Sequence, residues 1–236
     1  MIIEKIAMLT EVVGSEDGMH TYEVRRSWAD KGKKGLVIEL YPTISPDRCG
    51  ELDLSSMHLL NHVNDFKWSA VRIVNLYSLV CSGKPKVSEL HYDENNLAYF
   101  ENILEDKSIS EYDIVIATGS SLKTHTDTIE TKIEVLTMLR DKGLEGQIKC
   151  ISVNNANKDE LLGAHPLFLG LHYGREQWEL KDYPLLKELK VLEESKLLKK
   201  KSDLDKTKSE AVEKKQEKPG VAKKGGSEVK DDTKKK

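Results

Sequence analysis

Four short apolar runs recur along the chain, and a polar or glycine-bearing segment follows each of them. The runs are Leu36–Leu40, Val71–Leu76, Ile114–Ala117 and Ile148–Val153. Continuous apolar character without alternation is typical of strands that are covered on both faces of a sheet. The pattern therefore predicts four buried strands.

Segments with helical spacing separate these runs. The first extends from about Asp53 to Asp65, the second begins near Asp93, and the third ends at Gly143. Alternation of strand and helix is the signature of a layered α/β domain with a parallel sheet. We therefore predict an α/β fold, specifically a three-layer α/β/α sandwich with a central, mostly parallel four-stranded sheet.

The two ends of the chain add elements of a different kind. The segments Lys5–Val13 and His20–Trp28 flank a glycine-bearing turn and predict an N-terminal β-hairpin or edge pair. Leucines after Pro184 predict a C-terminal helix. We expect residues 1–183 to form a single α/β domain, residues 184–198 a helix, and residues 199–236 a disordered Lys/Glu-rich tail.

Charge is distributed unevenly between the body and the tail. The net charge of −3 combines −8 over residues 1–190 with +5 over residues 191–236. Duplex nucleic acid draws much of its affinity from neutralised phosphates, so the acidic body disfavours nucleic acid as a partner. A self-associating or partner-binding use of the tail stays open, and the oligomeric state is not indicated.

The chain carries no apolar run of the roughly 18 residues that a membrane span needs. Its N-terminus lacks a secretory cleavage pattern, and its three cysteines, Cys49, Cys81 and Cys150, are far apart and odd in number. We therefore expect a cytoplasmic protein without a membrane partner.

The segments that follow the predicted strands indicate a ligand crevice. In parallel sheets, ligands bind at the carboxyl ends of the strands. The candidate ligand-binding residues at these ends are Tyr41, Pro42, Thr43, Asn75, Gly119, Ser120 and Asn154, with His165 in the loop beyond. We expect Thr43 and His165 to face the same crevice.

Each candidate also has a purely structural interpretation. Asn75 can cap a strand end, and Gly119–Ser120 can be a helix start rather than an anion site, because the P-loop pattern is incomplete. Arg25 and Arg26 can be solvated edge charges, or they can reach an anionic ligand through their two-pronged guanidinium groups.

Catalytic chemistry would need the carboxylates and the histidine near the first loop. Asp47 and Asp53 are turn and cap residues or, together with His165, a water-activating carboxylate and a group that stabilises developing charge. A nucleophile elbow is missing, and His58 and His62 lack the intervening glutamate of a zinc motif. We expect no metal and no cofactor.

The order of motifs resembles a family of bacterial and phage proteins, domain of unknown function 1643. The resemblance covers roughly residues 22–171, and its most specific parts are the segments VNLY at 74–77 and HPLFL at 165–169. It also includes Asn95, which we add to the candidate ligand-binding residues. The family usually has Asn-Pro-Ser where this chain has Tyr41-Pro42-Thr43, and Trp where this chain has Thr118.

A proline loop after the first strand and a His-Pro loop after the fourth are more distantly similar to the uracil-DNA glycosylase fold. That similarity implies a water-activating role for Asp47 or Asp53 and base contact by His165.

Two functions follow as hypotheses. The first is binding of a nucleotide or nucleobase, for example by a phage or mobile-element protein that sequesters or senses a nucleotide. The alternative is hydrolysis of an N-glycosidic bond in DNA or in a free nucleotide.

Overall fold

The computed structural model describes residues 1–154 and 161–199. Within these residues the strands are β1 (Leu9–Gly14), β2 (Thr21–Ser27), β3 (Lys33–Glu39), β4 (Trp68–Asn75), β5 (Tyr112–Ile116), β6 (Ile148–Val153) and β7 (Trp178–Asp182). The helices in the same residues are α1 (Leu54–Asn61), α2 (Val63–Phe66), α3 (Glu94–Glu105), α4 (Thr126–Asp141), α5 (Pro166–Tyr173) and α6 (185–199). The sheet belongs to one compact unit, Met1–Lys196.

All seven strands described form one mixed sheet in the order β1-β2-β4-β3-β5-β6-β7. The four central strands β4, β3, β5 and β6 are parallel, as the apolar runs predict. An antiparallel hairpin of β1 and β2 extends the sheet at one edge, also as predicted. The α/β fold and the parallel centre of the sheet are thus confirmed.

The other edge of the sheet differs from the prediction. The sequence analysis did not identify β7, which pairs antiparallel with β6 and raises the strand total in the described chain to seven. The segment WELKD is short and mostly polar, so it carries little strand signal of its own. Trp178 is completely buried where β7 pairs with β6. This burial depends on tertiary contacts, and the local sequence of β7 does not predict it.

Two hydrophobic cores cover the two faces of the sheet. On one face, Leu36 and Ile38 of β3 pack with residues of α3, α4 and α6. On the other face, Val37 packs with residues of α1, α2 and α5. Successive residues of a strand point to opposite faces, so one continuous apolar run supplies both cores.

The helix predicted to run to about Asp65 is interrupted at His62. The first part, α1, ends at Asn61, and α2 ends at Phe66, followed by Lys67, whose φ of 58° is left-handed. His62 stacks on Trp178 with ring centroids 3.9 Å apart, and Asp65 Oδ2 lies 2.9 Å from His62 Nδ1. The backbone N–H of Trp178 donates to the same carboxylate over 3.1 Å. Contact with β7 therefore accounts for the break.

The order of the parallel strands creates a switch point in the sheet. In chain order, the second parallel strand, β4, lies on one side of β3, whereas the third, β5, lies on the other side. The connections that leave the carboxyl ends of β3 and β5 therefore lead in opposite directions, toward β4 and toward β6. Open α/β sheets bind ligands in the crevice at such a point.

The predicted Lys/Glu-rich tail lies, from residue 200 onward, outside the described residues. Helix α6 at 185–199 lies where the sequence predicts a C-terminal helix. No helix of the described chain is long and apolar enough to cross a membrane.

Candidate functional site

A cavity of about 400 Å³ opens at the carboxyl ends of the parallel strands. Its walls come from the β3 loop at residues 39–44, the start of α1, the end of β4, the β5 loop at 118–121, and residues 162–172 around α5. It thus lies at the switch point of the sheet, where β3 and β5 diverge. Thr43 and His165 both line it, which is the placement expected from the sequence.

One of the buried polar groups that line the cavity is a carboxylate. Glu39, the last residue of β3, is only 5% exposed and lines the cavity. Its Oε2 lies 3.5 Å from Nε2 of His165, whereas its Oε1 is buried and has no hydrogen-bond partner among the described residues. Burial of a carboxylate costs free energy unless charges or hydrogen bonds compensate for it. One oxygen of Glu39 therefore remains to be satisfied.

Hydrogen bonding sets the tautomer and the charge of His165. Its Nδ1 accepts from the backbone N–H of Leu167 over 3.2 Å, which assigns the proton of the neutral ring to Nε2, facing Glu39. Burial lowers the pKa of His165, but the charges of Glu39 and Asp53 outweigh it and raise the pKa above its ordinary value. The two carboxylates therefore favour the protonated ring, and protonation would replace the bond that Nδ1 accepts from Leu167 with a second N–H.

The position of His165 depends on helix α5 and on a glycine. His165 caps α5, and Pro166 occupies the first helical position, where a missing N–H costs nothing. Gly119 has a φ of 68° and donates its N–H to the carbonyl of Gly163 over 2.8 Å. A Cβ at Gly119 would stand 3.2 Å from the Cβ of His165. The β5 loop and the His-Pro loop therefore meet closely at this glycine.

A second carboxylate in the cavity wall, Asp53, has structural bonds of its own. Its Oδ1 accepts from the backbone N–H of Ser56 over 2.6 Å and caps α1. Its Oδ2 accepts from the hydroxyl of Thr43. Asp53 thus fixes the first loop against α1, and its charge still reaches His165.

An amide lies beside Glu39 on the neighbouring strand. Asn75 is in register with Glu39 in the parallel β3–β4 pair, so both side chains point to the same face. Asn75 is 7% exposed, and its Oδ1 has no partner among the residues described. The backbone carbonyls of Asn75 and Leu76 accept from Nδ2 of buried Asn96 over 2.9 and 3.2 Å. Asn96 therefore anchors the end of β4 to α3.

Neither predicted arginine lines the cavity. Arg26 is 1% exposed and donates to Thr10 Oγ1 over 3.1 Å and to the carbonyl of Glu51 over 2.7 Å. Arg25 forms an ion pair with buried Glu23 and donates to Tyr99 Oη over 3.1 Å. These contacts draw both guanidinium groups away from the crevice. The expectation that they reach a ligand there is not met.

Three further candidates also lie off the cavity. Asp47 is exposed and accepts from the hydroxyl of Ser45 over 2.5 Å. Asn95 is exposed in the first turn of α3, where its N–H donates to the capping Asp93. Asn154 is exposed just beyond β6. The position of a residue after a strand or at the start of a helix therefore does not by itself predict that its side chain lines the cavity.

The remaining candidates do line the cavity, namely Tyr41, Pro42, Thr43, Asp53, Asn75, Gly119, Ser120 and His165. The sequence analysis missed Glu39, Asn96 and the apolar wall from Phe168 and Leu171. A signal for Glu39 was present, because a carboxylate inside a continuous apolar run is costly to bury. A signal for Asn96 was also present, because this polar residue lies on the same face of α3 as the apolar residues Phe100 and Ile103.

The charges around the cavity are separated. The described lining includes Glu39, Asp53, His165 and His172, and it contains no lysine or arginine. A smaller recess of about 40 Å³ adjoins the same β5 loop and includes Lys123 and Lys132 in its walls. Burial lowers the pKa of Lys132, although the charge of Glu188 opposes that effect. The interior thus favours hydrogen-bond donors, and cationic side chains lie beside the loop.

The fold and the cavity together define an α/β protein with a ligand-sized site at the switch point of its sheet. The chain belongs to the family described as protein of unknown function (DUF1643), which matches residues 22–167. The matched segment contains the four parallel strands and both Glu39 and His165.

Comparison with curated proteins gives no match. Comparison with solved structures also gives no match, so the distant similarity to the uracil-DNA glycosylase fold has no support from that source.

Proposed function

We propose that this protein binds a nucleobase-containing ligand, a nucleoside or nucleotide, in the cavity at the carboxyl ends of the parallel strands. One observation carries the proposal. The cavity combines apolar walls with the buried side chains of Glu39 and Asn75 and the half-buried side chain of His165, and one oxygen each of Glu39 and Asn75 lacks a partner among the described residues.

The size and lining of the cavity suit a planar heterocycle. Small-molecule sites in proteins are typically clefts of about 300–1,000 Å³ with mostly apolar walls and a few polar groups that fix orientation. The volume of about 400 Å³ lies within this range. Ile44, Ile73 and Phe168 offer apolar surface for the faces of a ring, while Glu39 and Asn75 lie where an edge of the ring would need partners.

The charges of the lining favour a base inside the cavity and a phosphate outside it. A phosphate among Glu39 and Asp53 would meet like charges without a lysine or arginine on the described lining. Lys123 and Lys132 line the smaller recess, which shares Thr118, Gly119 and Ser121 with the cavity. A nucleotide bound with its phosphate toward residues 118–121 would have its base in the cavity and its phosphate near the two lysines of the recess. Sequestering or sensing a nucleotide in the cytoplasm is the corresponding cellular role.

Binding is tested by titration calorimetry of the full chain with nucleosides and nucleotides, and by mass spectrometry of any molecule that co-purifies. We expect a nucleoside to bind, and we expect His165→Ala to weaken that binding at least tenfold. Asp47→Asn is the matched control, because Asp47 is exposed and does not line the cavity. Absence of binding by every nucleoside and nucleotide tested would refute the proposal.

A second candidate function is hydrolysis of an N-glycosidic bond, and the pair of Glu39 and His165 favours it. Glu39 would take a proton from the attacking water as the oxygen bonds to C1′. His165, protonated beside Glu39, would donate a proton to the departing base as the C1′–N bond breaks. Of the carboxylates proposed from sequence, Asp47 is exposed and Asp53 already caps α1, so Glu39 replaces both in this role.

Release of a free base separates the two functions. Incubation with nucleosides, nucleotides and base-modified DNA, followed by chromatography, supports hydrolysis if the base appears and if Glu39→Gln abolishes its release. Bound ligand without product supports binding alone. An interaction role for the tail remains a third proposal, and comparison of the full chain with a chain ending at residue 199 tests it.

A further inference from the structure

We infer that the cavity selects a ligand edge that presents two adjacent hydrogen-bond donors, as guanine does with its N1–H and N2 amino groups. This inference rests on the proposed function, because it specifies which nucleobase that site would take. The juxtaposition behind it is the pair of unpartnered oxygens on Glu39 and Asn75.

The two oxygens belong to side chains that are neighbours in the sheet. Glu39 and Asn75 are paired in the parallel register of β3 and β4, so their Cα atoms are about 4.8 Å apart and their side chains share one face. Both residues are at least nine-tenths buried, and both line the cavity. Both oxygens are buried, and the broad terminal torsions of the two side chains allow rotations that present them to a ligand. After such rotations, adjacent acceptors at this spacing match adjacent donors on one molecule.

Glu39 retains its capacity to accept a bond even while it pairs with His165. An ionised carboxylate accepts on both oxygens, and His165 faces only Oε2. The terminal torsion of a glutamate is broad, so a small rotation presents Oε1 to a donor in the cavity. Binding of an N–H there would form a charge-assisted hydrogen bond and would remove the unsatisfied carboxylate oxygen.

The same arrangement disfavours the uracil edge. Uracil presents one N–H between two carbonyl oxygens, so at least one carbonyl would meet the oxygen of Glu39 or Asn75. Hypoxanthine keeps N1–H but lacks the N2 amino group, and it would leave the Asn75 oxygen without a partner. A site built to hydrogen-bond a ligand group rejects analogues that lack the group, because its buried polar atoms stay unpaired. Guanine satisfies both acceptors at once.

Helix α5 and the rest of the cavity do not compete for these acceptors. His165 uses Nδ1 for the N–H of Leu167, and Asp53 uses its oxygens for Ser56 and Thr43. The bond from Asn96 reaches the backbone carbonyl of Asn75 rather than its side chain. Replacement of the Asn75 side chain therefore leaves the contact between β4 and α3 in place.

Titration calorimetry of the full chain with guanosine, inosine and uridine tests the inference. We expect guanosine to bind the unmodified protein about tenfold more tightly than inosine, since one neutral hydrogen bond to a buried acceptor contributes about that factor. Uridine should bind more weakly than either. Asn75→Leu should bring the guanosine-to-inosine ratio close to one, whereas Glu39→Gln should weaken both purine nucleosides. Asp47→Asn should leave all three affinities unchanged.

The outcomes separate this inference from the proposal on which it rests. Equal affinity of the unmodified protein for guanosine and inosine, or tighter binding of uridine, overturns the donor-edge inference but keeps nucleobase binding. Absence of binding by all three nucleosides and by the nucleotides overturns both. The comparison among nucleosides uses the unmodified protein, so it does not depend on whether the variants fold.

Discussion

The carboxylate of Glu39 lies 3.5 Å from the imidazole of His165, although the two residues stand near opposite ends of the segment that defines the family. Strand β3 brings one to the switch point, and the cap of α5 brings the other. The charges of Glu39 and Asp53 overcome the effect of burial and raise the pKa of His165.

The first prediction concerns the pH dependence of stability. A raised pKa means that the folded protein binds the His165 proton more tightly than the unfolded chain does. The stabilisation by protonated His165 is therefore fully present below the unfolded pKa of about 6.5 and is lost as the pH rises through the folded pKa. Urea denaturation should give a larger free energy of unfolding for the parent protein than for His165→Gln at low pH. This difference should shrink as the pH rises through the folded pKa. A difference that grows with pH would contradict the assignment.

The second prediction concerns the glycine that lets the β5 loop approach His165. Gly119→Ala should lower the free energy of unfolding by about 1–2 kcal/mol from the left-handed backbone alone, with a further loss from the contact at 3.2 Å. Gly143→Ala is the matched control, since Gly143 has a φ of 69° and open space around it. Equal losses in the two variants, measured by urea denaturation, would show that the contact with His165 contributes nothing.

The third prediction concerns the packing of α1 against α5. A Cβ at Gly170 would stand 1.9 Å from Cγ of His58. Alanine is a better helix former than glycine by about 1 kcal/mol. The sign of the change in the free energy of unfolding therefore shows whether this gain or the clash with His58 is larger. We expect the clash to be larger and Gly170→Ala to cost about 1–3 kcal/mol in thermal or urea unfolding.

Gly50→Ala serves as the control for that packing effect. Gly50 has open space around the position of a Cβ, so its replacement should change stability by less than about 0.5 kcal/mol. A stabilised Gly170→Ala variant would mean that His58 moves aside freely.

The fourth prediction concerns the three free cysteines. Cys49 is exposed, whereas burial raises the pKa of the thiols of Cys81 and Cys150. Because the thiolate is the reactive form, a colorimetric thiol reagent should label one of the three groups quickly at neutral pH. The other two should react at the rate of unfolding. Cys49→Ser should remove the fast phase, and a fast phase that persists in that variant would contradict the burial of the other thiols.

Much of the fold could be predicted from local pattern. The four apolar runs are continuous because each parallel strand is buried on both faces, whereas the two strands of the hairpin include more half-buried positions. Strand β7 and the break at His62 could not be predicted in this way. Both depend on Trp178, whose burial against β6 and stacking on His62 involve residues that are distant in the chain.

The sequence by itself determined the class of fold, the parallel strands and the edge of the sheet where a site would lie. Only the tertiary structure decided which polar side chains share the cavity. It turned Arg25, Arg26, Asp47, Asn95 and Asn154 away from the cavity and brought Glu39, Asn75 and His165 together. The physical reason is that hydrophobic period depends on near neighbours, whereas the meeting of side chains depends on strand order, register and helix caps.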